Sequence, residues 1–162
     1  IVNNIKIYNR SFKDKYDNIQ KASDSMTTQE YLMVRKSKDW KFNRVVTDNA
    51  FKNVNRIHPL KQKMVAQIVD QAKKGRAVHR IIIFGSSTRY DCDITSDLDI
   101  CIDWNQDCYD KEGGLKPFTR NMRQTISSVT KGNADVVDYA YLDDTVLKDS
   151  VEKGVIVYEH NV

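Results

Sequence analysis

Ile81-Ile82-Ile83-Phe84-Gly85-Ser86, followed after ten residues by Asp97-Leu98-Asp99-Ile100-Cys101-Ile102, is the stretch on which the fold turns. β-Branched side chains are stiff at χ1 and fit a pleated, buried surface, so Val78 to Phe84 reads as a buried strand. Leu98 to Trp104 reads as a second. Gly85-Ser86 closes the first strand, and the long segment 85–97 separates the two.

Outward from this core, Pro59 suits the first turn of a helix. Leu60, Met64, Val65, Ile68, Val69 and Ala72 recur at helical spacing until Gly75. On the far side Gly113-Gly114 breaks the chain, and Pro117 opens a helix running to Thr130. Val136 to Leu142 reads as a third strand, Asp143 to Lys153 as a capped helix and Val155 to Tyr158 as a last strand. Strands alternating with helices predict an α/β or α+β sheet domain over residues 58–162. Residues 1–57 are polar and weakly patterned and read as an N-terminal extension. Its one local signal is Thr27-Thr28-Gln29-Glu30, a capping box that predicts a short helix near 28–37.

At 162 residues, 40% hydrophobic and 30% charged, the chain has the make-up of a soluble globular protein with a genuine core. No run approaches the ~18 apolar residues of a membrane span. Ile1-Val2-Asn3-Asn4 shows no basic segment leading into an apolar one, so no signal peptide is expected and the expected compartment is the cytoplasm. Cys92, Cys101 and Cys108 are odd in number and lack CxxC spacing, which argues against a disulfide framework or structural zinc. His58, His79 and His160 have no metal-ligand spacing, and His58 reads as a helix-start residue before Pro59. Charge is unevenly placed: residues 1–80 hold 18 Lys/Arg against 7 Asp/Glu, and residues 81–162 hold 8 against 15. The basic half is compatible with a protein or nucleic-acid partner, and the acidic half with a cation site.

Asp97 and Asp99, two residues apart at the start of a strand, project from one face. Clustered carboxylates repel and raise each other's pKa unless a cation lies between them. Acids leading into a buried strand are unfavourable unless paired or metal-bound. Mg²⁺ is the fitting cation, a hard ion that takes one or two carboxylates plus phosphate oxygens, and a pair of such ions serves phosphoryl displacement. Asp91-Cys92-Asp93 has the same spacing but leads into no apolar run, and reads as solvated loop. Gly85 lets the backbone approach a ligand closely, and Ser86 with free N–H groups faces an anion such as a triphosphate. Arg89 offers a fork of donors to phosphate, or forms a surface salt bridge.

Together Phe84-Gly85-Ser86, Arg89 and Ser96-Asp97-Leu98-Asp99-Ile100 resemble the minimal nucleotidyltransferases of the DNA polymerase β-like superfamily. Asp135-Val136-Val137-Asp138 resembles that family's later acidic strand, and Val151 to Glu159 its closing helix and strand. The likeness covers residues 79–159. It implies a mixed sheet of about four strands flanked by helices, with Asp97, Asp99 and Asp135 as the catalytic, metal-holding carboxylates. It further implies Gly85, Ser86 and Arg89 as nucleotide-binding residues, two Mg²⁺ ions, and ATP as substrate. Asp138 lies on the opposite face by strand parity and is expected to cap or salt-bridge elsewhere. Tyr90, where the family commonly has Gly, and Thr88, in place of a small apolar residue, are departures. Small members resemble antitoxins that adenylylate a tyrosine on a HEPN-type toxin partner, while others modify aminoglycosides or RNA ends. The remaining readings are a contact-only binding module of the same fold and a nucleic-acid-binding protein resting on the basic half alone. Residues 1–57 are expected to serve partner or acceptor recognition.

Overall fold

The computed structural model describes residues 41–46, 48–107 and 116–160, and for 116–118 the backbone alone. The helix expected near 28–37, Cys108 and the Gly113-Gly114 break lie outside the described residues.

The isoleucine run forms β1 (Val78–Phe84), which pairs antiparallel with β2 (Leu98–Trp104) from Val78↔Trp104 to Phe84↔Asp99. β2 pairs parallel with β3 (Ala134–Asp138), and β4 (Val155–Glu159) lies antiparallel on the other side of β1. Among the described residues the sheet is therefore mixed, four-stranded and ordered β3-β2-β1-β4. This is the architecture implied by the family resemblance.

Alternation along the strands sorts their side chains onto two faces. Ile81, Ile83, Leu98, Ile100, Ile102, Val155 and Val157 form the main core with helices α1 (Pro59–Ala72) and α2 (Lys116–Thr130). α1 contributes Val65, Ile68, Val69 and Ala72, and α2 contributes Met122 and Ile126. Each such aliphatic side chain, fully buried, contributes about 1.5–3 kcal/mol. Phe51, Val54 and Ile57 join the same core from ahead of α1. The opposite face buries Ile82, Phe84 and Cys101 under Val151 of α3 (Thr145–Glu152), with Leu147, Tyr139 and Leu142 packed alongside.

Helix ends follow local chemistry. Nδ1 of His58 accepts the Leu60 N–H at 3.2 Å, ahead of Pro59. Burial, helped by the Lys61 charge, pushes the His58 pKa down to about 4, so the ring is neutral and keeps that lone pair. α1 ends at Ala72, three residues before the expected stop at Gly75. Asp144, one residue beyond the expected start, caps α3 by accepting the N–H groups of Val146 and Leu147.

The third strand differs from its expected span of 136–142. It starts at Ala134, opposite Leu98, and ends at Asp138, opposite Ile102. Asp138 is held there by Trp104 Nε1–H at 2.9 Å and Arg123 at 3.2 Å. The chain then turns as a 3₁₀ helix over Tyr139–Tyr141, closed by the Leu142 N–H on the Tyr139 carbonyl. The apolar residues after 138 thus pack as a turn rather than extending the ladder. At the other side of the sheet, Asn53 donates its side-chain amide to the Ile156 carbonyl at 2.8 Å, and Lys52 pairs with Glu159 at 3.5 Å.

Gly154, between α3 and β4, has no room for a side chain: a Cβ there would lie 2.7 Å from the Ile83 carbonyl and 2.9 Å from that of Val151. Both neighbours are backbone, so Gly154→Ala is expected to destabilise the protein by about 1–3 kcal/mol. Urea denaturation should show a lower midpoint at unchanged slope.

Candidate active site

At the end of β1 the backbone reverses at Gly85, whose φ of 71° lies in the left-handed region. Its Cα also faces the Asp99 carboxylate so closely that a Cβ would collide with it and lie 3.1 Å from Cγ. Glycine is thus required twice, by conformation and by contact. A 3₁₀ turn, Gly85–Thr88, follows. Thr88 donates its hydroxyl to the Gly85 carbonyl at 2.8 Å, and the Arg89 N–H reaches the Ser86 carbonyl at 2.9 Å. Ser86 is half-buried and Ser87 fully buried.

The register of β2 and β3 sets Asp99 directly opposite Asp135. Asp97 precedes the strand and is exposed, as is Asp135, whereas Asp99 is half-buried. Burial pushes the Asp99 carboxyl above the usual carboxylate range, and the charges of Asp135 and Asp97 push it further. Arg89 partly offsets this. Gly85, Arg89, Asp97, Asp99 and Asp135 therefore share one environment at the carboxyl-side end of β1. Among the described residues, no side-chain hydrogen bond or ion pair engages the carboxylates of Asp97, Asp99 or Asp135.

The similarly spaced pair in the loop is arranged differently. Asp91 pairs with Arg89 at 3.3 Å, an exposed contact. Asp93 accepts the Thr95 N–H at 2.8 Å and the Thr95 hydroxyl at 2.5 Å, and its own N–H donates to the Ser96 hydroxyl at 3.1 Å. The Thr95 hydroxyl is the main cause that holds the Asp93 carboxyl below its ordinary value. These acids shape the loop. Asp138 is turned to the helix side by Trp104 and Arg123, away from Asp135. Arg89 makes the surface salt bridge and also lies within electrostatic reach of Asp99.

Among the described residues, no three His, Cys, Asp or Glu side chains are gathered closely enough to enclose one metal ion. Mg²⁺ requires less than that, since one or two carboxylates suffice when water and phosphate oxygens complete its shell. The donors here are all oxygen, and the charge crowding at Asp99 is the kind a cation relieves. The residues fit a hard divalent ion on these grounds.

Two features lie outside the sequence reading. Tyr90 stacks on Phe42, ring centroids 6.1 Å apart, and Phe42 also meets the His58 ring at 5.3 Å. The aromatic at 90 is therefore a packing partner for the segment ahead of α1, a pairing no local pattern announces. Lys61 is buried, with its ammonium bonded to the Ser96 carbonyl. Its signal is present in the sequence: 61, 65, 68 and 72 lie along one apolar stripe of α1, where a lysine is out of place.

A raised Asp99 pKa means the folded protein binds a proton more tightly there than the unfolded chain does. Its contribution to stability is full below the ordinary carboxylate range and is lost as pH rises through the raised value. In metal-free buffer Asp99→Asn should therefore melt higher than the wild type at neutral pH. The gap should close as pH falls through the carboxylate range, as read by thermal melting across pH.

The family model for polymerase beta, nucleotidyltransferase, matches residues 66–162. Among solved structures, one described as a candidate nucleotidyltransferase from Sulfolobus solfataricus is 26% identical. The match covers 60% of this chain and 79% of that one, with a TM-score of 0.36. No curated protein matches the chain. With the matched span taking in β1, β2, β3 and β4 and the whole carboxylate cluster, the chain belongs to the polymerase beta nucleotidyltransferase family.

Proposed function

We propose that this protein is a Mg²⁺-dependent nucleotidyltransferase that moves AMP from ATP to a hydroxyl, with a tyrosine of a HEPN-type protein partner as the acceptor. The observation that carries the reading is the placement of Asp99 opposite Asp135 on a parallel ladder, with Gly85 pressed against the same carboxylate. Structural acids in this chain find partners, as Asp93, Asp138 and Asp144 do. Among the described residues Asp97, Asp99 and Asp135 find none, and a cluster of crowded carboxylates is what a site for cations and triphosphate requires.

In this reading Asp97 and Asp99 would hold the two Mg²⁺ ions, and Asp135 would be drawn to one of them on binding. When bound, the two ions supply charge neutralisation at the α-phosphoryl and a more acidic acceptor hydroxyl. Asp135 stands on the exposed side, where it accepts the proton from that hydroxyl. The acceptor oxygen forms its bond to the α-phosphorus as the α–β bridging bond breaks, and pyrophosphate leaves. Gly85 and Ser86 receive the β- and γ-phosphates, and Arg89 exchanges Asp91 for phosphate, a small loss because the pair is exposed. Catalysis of this kind is positioning and electrostatics. No helix among the described residues is long and apolar enough to cross a membrane, and the reading places the protein in the cytoplasm with its partner.

Calorimetric titration with ATP and GTP, with and without Mg²⁺, tests the nucleotide half. Mg²⁺-dependent ATP binding that Asp97→Ala weakens is expected. Turnover with the acceptor should fall by about 10³-fold or more in Asp97→Ala and Asp99→Ala while melting stays cooperative. No nucleotide binding under any condition would instead favour a module acting by contact alone.

A further inference from the structure

Asp97 lies just outside the ladder, which begins at Leu98↔Ala134. The peptide that follows it is held by the Leu98 N–H on the Asn133 carbonyl at 3.0 Å, and the peptide that precedes it is held from the other side. The Ser96 carbonyl accepts a hydrogen bond from the ammonium of Lys61, in the first turn of α1. Because the peptide unit is planar, fixing that oxygen fixes the plane that also carries the Asp97 nitrogen, and so restricts the direction of the Asp97 side chain.

The arrangement is costly, which makes it informative. Lys61 is only 4% exposed, and among the described residues no carboxylate forms an ion pair with it. A buried ammonium held by a neutral carbonyl loses more hydration than one such bond returns. Three residues earlier, the His58 N–H donates to the Ser87 carbonyl at 2.7 Å. One turn of helix thus grips both ends of the 85–97 excursion, behind Gly85-Ser86 at one end and ahead of Asp97 at the other.

We propose that Lys61 is a positioning residue for the nucleotide site: through the Ser96 carbonyl it holds the Asp97 carboxylate beside Asp99 for cation binding. This rests on the reading of Asp97 and Asp99 as the cation-holding pair. The role is confined to the Mg²⁺-dependent part of nucleotide binding, because the Gly85-Ser86 turn is tied separately by His58.

The test is calorimetric titration of the full chain with ATP, with and without Mg²⁺, for wild type, Lys61→Met and Lys61→Arg, alongside thermal melting. Lys61→Met should lose about tenfold or more of the affinity gained from Mg²⁺, with Mg²⁺-free ATP affinity unchanged. Lys61→Arg, whose guanidinium can donate to the same carbonyl, should recover most of it. If Lys61→Met does not fold, Lys61→Gln is read in its place, and failure of both to fold makes Lys61 a fold residue and overturns the proposal. So does a folded Lys61→Met that keeps the full Mg²⁺-dependent gain, or one that loses both components equally. Wild type without Mg²⁺-dependent ATP binding would overturn the functional reading itself, and this proposal with it.

Discussion

Two carboxylates facing one another across a parallel ladder are the constraint from which the rest of this molecule can be understood. Like charges directly opposite destabilise a sheet. Half-burial of Asp99 makes the conflict sharper, since the charged form loses hydration as well. Maintaining it requires β2 and β3 to stay in parallel register, and a parallel pair needs a crossover of many residues. That crossover contains α2, anchored by Met122 and Ile126 in the main core. Gly85 adds to the constraint, since only the absence of a side chain there leaves the Asp99 carboxylate its place. The largely aliphatic interior provides the stability against which this local conflict is held.

The start of α1 is a second concentration of polar groups out of water. His58, Lys61 and Gln62 are all buried. Gln62 donates to the Asn43 and Ile57 carbonyls and accepts the Val45 N–H at 2.9 Å, so one amide ties residues 43–45 to the helix. With Phe42 stacked on Tyr90, the segment ahead of the helix is joined to the loop that follows Gly85-Ser86. Buried polar groups of this kind are tolerated because each finds a partner. Their combined effect is to make the segment 41–57, the helix and the 85–97 excursion a single mechanical unit.

Much of this was legible in the residue pattern, and the limits have physical causes. The strands β1 and β2 were read correctly to the residue because β-branched runs bounded by glycine or acids admit few alternatives. The third strand was misplaced because Tyr139 and Leu142 are apolar for reasons of packing on the second face, which a linear pattern cannot separate from pairing. Parity alone turned Asp138 away from Asp135, and the structure places it on Trp104 and Arg123 as that argument requires. The resemblance that named the carboxylates is matched at the level of the family. What stayed hidden were contacts distant in sequence, such as Phe42 with Tyr90 and Lys61 with Ser96. Lys61 showed itself only as a charge at an apolar helical phase.

The order of the strands has one more consequence. Among the described residues β3 and β4 are the borders of the sheet, and a border strand offers unpaired backbone groups to any extended chain that meets it. At β4 the Asn53 amide already occupies the Ile156 carbonyl, and the Lys52–Glu159 pair flanks it. At β3 no such cover is seen among the described residues, but two of its five side chains are acids. Asp135 and Asp138 make that border a poor template for strand addition, so the charge that crowds the site also guards the protein against aggregation.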